Sequence, residues 1–265
     1  MTVLDHALLR AYADSFFTYG RFENPVWFLG LEEGGCRDLE EASRRLIAWH
    51  ESGRPLSVGL TDPDDDKSSN EFLRTDGAPA RLQTTWANQL RVLQGMAGEL
   101  PDDERIRHLQ TSAHGRLDGP TCLMELFPLP CSDAGAWIYK DLAPGPAANE
   151  PDVFASKDAY RRHYLPKRLE TITALVKEHA PAALIFTSWS YQREFLSLLS
   201  DVEPFESGLE GVQRKAVIGR LHDTVVAVCT HPAHRVSGPR NAFYHGLGRA
   251  IAERMPPSVD LKLVA

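Results

Sequence analysis

Three short segments of this chain carry residues whose types and spacing could do chemistry. Pro25 to Gly35 (PVWFLGLEEGG) places adjacent carboxylates, Glu32 and Glu33, next to Gly34 and Gly35. Paired acids can hold a water or move a proton. Glycines beside them let the backbone come close to a ligand or take positive φ. His231-Pro232-Ala233-His234-Arg235 (HPAHR) brings an imidazole that titrates near neutral pH. Arg235 and Arg240 add local positive charge suited to phosphate. The third segment, Thr121 to Phe127 (TCLMELF), hides Glu125 in an apolar run. An ionised carboxylate there is costly, so burial should raise its pKa or pair it with an arginine. Each has a plainer reading: a solvated acidic turn, a histidine capping a loop, a surface arginine, a structural acid. His234 and His245, taken alone, read as surface or structural residues.

The elements that must position these groups follow from hydrophobic patterning. Pro25–Gly30 reads as a buried strand bounded by Pro and Gly, as does Thr121–Phe127, cut off by Pro128 and Pro130. AALIFT after Pro181 and Thr224–Cys229 are two more, the last ending at Thr230 and preceded by a hairpin arm at Lys215–Gly219. Helical spacing marks residues 3–19, 38–50, 82–97, about 101–110, 157–179, the SWSYQREFLSLL segment and about 241–254. Helix and strand alternate, so the expected class is α/β: a three-layer α/β/α arrangement around a central, mostly parallel four-stranded sheet. One domain over 1–265 is expected, with a polar excursion at about 52–80. In such a sheet the strand ends at Gly30, Phe127, Thr187 and Thr230 face one edge, where ligands bind.

Composition narrows the function classes. The 265 residues carry a net charge of −7, which argues against a broad, non-specific nucleic-acid coat but leaves room for a local basic groove. No apolar run approaches a membrane span, and the N-terminus lacks a cleavage-site pattern. A cytoplasmic monomer without membrane contact is expected. The cysteines, Cys36, Cys122, Cys131 and Cys229, form no CxxC pair and read as reduced, partly buried thiols, so neither a metal nor another cofactor is expected.

In their order, GLEEGG after the first core strand, ELFPLP after the second and HPAHR after the last resemble the uracil-DNA glycosylase superfamily, over roughly residues 20–254. The resemblance implies a DNA repair enzyme, active without a metal, that flips out uracil or another deaminated base and hydrolyses its N-glycosidic bond. It implies that Glu32 positions the attacking water and that His231, as neutral imidazole, donates to the carbonyl of the departing base. Glu33 stands where the family has proline, so either acid could hold the water. Gly30, Leu31, Gly34, Glu125 and Phe127 fall at the base pocket, with Glu125 at the place of an asparagine that reads uracil. An ionised carboxylate is acceptor-only and cannot match both O4 and N3–H. For the ring that stacks on the base, the family's spacing offers Arg44 and Arg45, with Trp49 the nearest aromatic. Arg235 falls at the residue that fills the emptied stack, and His234 and Arg240 fall on the same DNA-facing side. Ala233 replaces a serine that binds phosphate.

Two rival classes remain open. The altered residues Glu33, Glu125 and Ala233 fit a non-catalytic module that binds nucleotides or damaged DNA. Alternatively, Glu32, Glu33 and His231 could serve as hard ligands in a metal-dependent hydrolase. GLEEGG is not GxGxxG, and acids in that loop would repel a pyrophosphate, which places a dinucleotide enzyme last.

Overall fold

The computed structural model describes residues 4–60, 71–73, 79–131, 137–140, 142, 152–234, 238–256 and 261. Its elements run, in order, α1 (His6–Ser15), β1 (Thr18–Tyr19), β2 (Val26–Glu32), α2 (Leu39–Glu51), β3 (Ser57–Val58), α3 (Thr84–Met96) and α4 (Asp103–Ser112). β4 (Thr121–Phe127), α5 (Lys157–His179), β5 (Ala183–Phe186) and α6 (Gln192–Leu196) follow, then β6 (Ser200–Pro204), β7 (Ala216–Leu221), β8 (Thr224–Cys229) and α7 (Arg240–Ala252). Three helices start on aspartate caps. Asp5, Asp38 and Asp102 each accept a backbone N–H from the first turn, satisfying a donor that the helix leaves without a partner.

The fold is α/β, but the sheet differs from expectation. Eight strands, rather than four, form one mixed sheet in the order β3-β1-β4-β2-β5-β8-β7-β6. β2, β5 and β8 are parallel, whereas β7 runs antiparallel to both β8 and β6. The extra strands have a physical reason for escaping notice. β1 and β3 are two residues long, too short for any periodicity, and every residue of β6 (SDVEP) is exposed. The helix expected over SWSYQREFLSLL shrinks to α6, because Tyr191 adopts φ 60° and cannot lie inside a helix. Within the polar excursion, residues 61–70 and 74–78 lie outside the described residues.

Two compact units divide the chain. One comprises Met1–Thr18, Gly30–Ser57 and Met124–Thr173; the other comprises Tyr19–Leu29, Val58–Leu123 and Ala174–Ala265. In the second, β5 and β8 are buried at every residue, as strands covered on both faces should be. Leu29, Phe186 and Val228 lie abreast; β5 ends at that level, whereas β8 runs one residue further and β2 continues to Glu32. In the same unit α3 and α7 pack so closely that a Cβ on Gly95 would strike the His245 carbonyl, and one on Gly248 the Val92 carbonyl. The first unit gathers α1, α2 and the start of α5 around Leu9, Tyr12, Leu46, Phe127, Phe154 and Tyr160, all buried.

Arg168 of α5, 2% exposed, ties that first unit together. It donates to the carbonyls of Phe16 (3.0 Å), Glu125 (2.7 Å) and Leu126 (3.3 Å), and its guanidinium lies 3.9 Å from the Phe17 ring centre. Burial lowers its pKa to about 10, so it remains a cation at neutral pH. All four cysteines are free and buried; burial pushes Cys131 up to about 11 and Cys229 to about 12. No helix among the described residues is long and apolar enough to cross a membrane.

Candidate functional site

The last residues of β2 bring Glu32 and Glu33 against cations of α5 and α2. Glu32 Oε1 accepts from Arg161 Nε (2.8 Å) and Nη2 (2.5 Å), while Lys157 Nζ stands 2.8 Å from Oε2. Lys157 and Arg161 are four residues apart on one helix face, the spacing that lets both reach a single carboxylate. A carboxylate oxygen has two lone pairs. Arg161 takes both on Oε1; Oε2 has a second acceptor direction beside the one Lys157 uses. Only 8% of the Glu32 side chain is exposed.

Glu33 is held differently. Its Oε1 accepts from Arg45 (3.0 Å), its Oε2 from the Tyr12 hydroxyl (3.3 Å), and its backbone carbonyl from Cys131 N–H (3.0 Å). Arg45 also bonds Glu41 and the Gly35 carbonyl, which fixes the turn where Gly35 takes φ 82°. Gly34 is exposed and open on its Cβ side, whereas Leu31 is half-buried.

Gly30 and Glu125 meet. Any side chain at Gly30 would collide with Glu125 Oε2, and its Cβ would come within 2.7 Å of the carboxyl carbon. Glu125 Oε2 is buried and has no hydrogen-bond partner among the described residues. The expected arginine is present, yet Arg168 bonds the Glu125 backbone carbonyl rather than the carboxyl. Burial, with the negative charges of Glu33 and Glu32 next in effect, raises the Glu125 pKa well above the usual carboxyl value. The shift favours the neutral carboxylic acid, a form able both to donate and to accept.

Two other expected pocket residues are core side chains. Phe127 is fully buried, with the Arg161 guanidinium 5.7 Å from its ring centre. Trp49 is 6% exposed, sets its ring edge-on to Tyr12 and donates Nε1–H to the Pro55 carbonyl.

His231 belongs to the second unit, in the turn after β8. Its Nδ1 accepts the Ala233 N–H at 3.2 Å, which leaves Nε2 to carry the proton of a neutral ring. Burial, followed by neighbouring His234, lowers the His231 pKa and favours that neutral form. The turn is braced from three directions. Tyr244 OH donates to the Thr230 carbonyl (2.6 Å), Asn88 to that of Pro232 (3.4 Å), and buried Arg214 to those of His234 (3.4 Å) and Gly238 (3.2 Å). His234 is exposed and Arg240 opens α7; Arg235 lies outside the described residues.

The structure therefore groups Gly30, Glu32, Glu33 and Glu125 in one unit and describes His231 within the other. Sequence reasoning missed Lys157, Arg161, Tyr12 and Arg214 as supports, and named Arg45 without its carboxylate partner. The four-residue spacing of Lys157 and Arg161 was the one available signal. Among the described residues, no group of three His, Cys, Asp or Glu side chains is arranged to hold a metal ion. Compared with known proteins, the chain matches no family model and no curated protein.

Proposed function

We propose that the chain is a monofunctional DNA N-glycosylase that flips uracil, or another deaminated base, out of DNA and hydrolyses its N-glycosidic bond. The observation that carries this reading is the Glu32 carboxylate, fixed by Lys157 and Arg161 but with a second acceptor direction on Oε2. Water held there attacks the sugar C1′ and gives up a proton to the Glu32 carboxylate, which returns it to solvent. The C1′–N bond breaks, and its electron pair leaves on the base. A negative carboxylate suits an oxocarbenium-like sugar, and a neutral imidazole with its proton on Nε2, as at His231, suits the donor to a base oxygen on which charge collects. Glu33, bonded by both Arg45 and Tyr12, positions the loop, so Glu32 is the water-holding acid. Arg235, His234 and Arg240 form the DNA side. The finer architecture proposed with this function is a three-layer α/β/α arrangement.

Single- and double-stranded oligonucleotides containing one uracil, incubated with the protein in chelator and then treated with alkali, test the reading. Scission at the uracil is expected, and His231→Ala should slow it by about a hundredfold. Strands that remain intact with the wild-type protein would overturn it.

A second reading has its own support. Every carboxyl oxygen of Glu32 and Glu33 already accepts from a cation or a hydroxyl, as suits a scaffold. On that reading the chain binds damaged DNA or nucleotides without cleaving them. Binding to uracil-containing DNA with no base release would select it.

A further inference from the structure

A cleft of about 420 Å³ opens at the start of α5, sharing Lys157 and Arg161 with the Glu32 site. Its volume is within the range of small-molecule sites, roughly 300–1,000 Å³. Its walls include Trp137, Lys140, Lys157, Asp158 and Arg161, three cations against one carboxylate. Trp137 is held as a fixed platform. Its Nε1–H donates to the Phe154 carbonyl at 2.7 Å, one side stacks on Tyr160 with ring centres 5.2 Å apart, and Tyr139 meets it edge-on at 5.0 Å. Lys140 is exposed, whereas Lys157 is 7% exposed and lines the cleft from the core side.

We propose that this cleft binds a nucleotide, its phosphate between Lys140, Lys157 and Arg161 and its base against Trp137. A cationic rim selects an anion, and the planar guanidinium of Arg161 matches the oxygens of a phosphate. A rigid indole beside those cations adds a flat apolar surface on which any nucleobase can stack. Arg161 has five N–H donors and Lys157 three, so each can serve Glu32 and a phosphate together. The phosphate comes from a free mononucleotide or from a nucleotide within a strand. The inference stands on the cleft and holds whether or not the chain cleaves N-glycosidic bonds.

Isothermal titration of the intact chain with thymidine 5′-monophosphate, thymidine, inorganic phosphate and a short oligothymidylate tests it. The nucleotide, free or in the strand, should bind at least about tenfold more tightly than thymidine or phosphate alone, the scale of one charge-assisted contact. Lys140→Glu, at an exposed position, should weaken that binding by about tenfold, and Trp137→Leu by a similar factor. Tighter binding of the oligothymidylate than of the monophosphate identifies a strand as the source; the reverse identifies a free nucleotide. No binding by either nucleotide form, equal binding of phosphate alone, or an affinity unchanged by Lys140→Glu would overturn the proposal.

Discussion

Glu32 and Glu125 stand on neighbouring strands, β2 and β4, and the chain surrounds them in opposite ways. Glu32 has two cations within 2.8 Å. Glu125 has a buried oxygen without a hydrogen-bond partner among the described residues, and Arg168 serves its backbone instead. One acid is therefore clamped between cations and the other is pushed toward its neutral form, although both are glutamates on adjacent strands. Partners, more than residue type, decide what a carboxyl group can do.

Removing the charge of Glu32 should have the largest effect. Glu32→Gln takes the anion from Lys157 and Arg161 and should destabilise the protein by about 3–5 kcal/mol in urea unfolding, the scale for breaking a buried ion pair. An unchanged midpoint would erase the contrast, making Glu32 as expendable as a surface acid.

Next comes the pH dependence of Glu125. The usual carboxyl value is 4.5, and the folded value is well above it. Above pH 4.5 the unfolded chain loses this proton while the folded chain keeps it, so stability falls as pH rises, until the folded group also ionises. The slope is at most about 1.4 kcal/mol per pH unit. Wild-type and Glu125→Gln unfolding free energies should therefore diverge as pH rises above 4.5, with the variant gaining. Parallel curves would mean that folding does not raise the Glu125 pKa.

The smallest effect sharpens the geometry. Gly30→Ala forces the Glu125 carboxyl aside and should cost about 1–2 kcal/mol, the range for overpacking. Adding Glu125→Ala should recover most of it, a coupling that a double-mutant cycle reads directly. Additive losses would show that the two residues do not meet.

Much of this arrangement was legible beforehand because long, strongly patterned segments announce themselves. β4 and α5 run between the residues expected from TCLMELF and from the 157–179 pattern. The acidic turn, the imidazole after the last core strand and the buried Glu125 were also visible as residue types. What was hidden is long-range: the Arg161–Glu32 pair spans 129 positions, and nothing local in either segment specifies it. Short β1 and β3 and exposed β6 lacked the apolar patterning that reveals a strand.

Arg168 sets an order of assembly. Its carbonyl acceptors come from residues 16, 125 and 126, all made earlier than the arginine that gathers them. During synthesis the N-terminal helix must wait for some 150 further residues before its last tie exists, a delay set by chain elongation rather than by any local propensity. The unit that bears the acids is therefore closed from its far end, by the final stretch of chain that belongs to it.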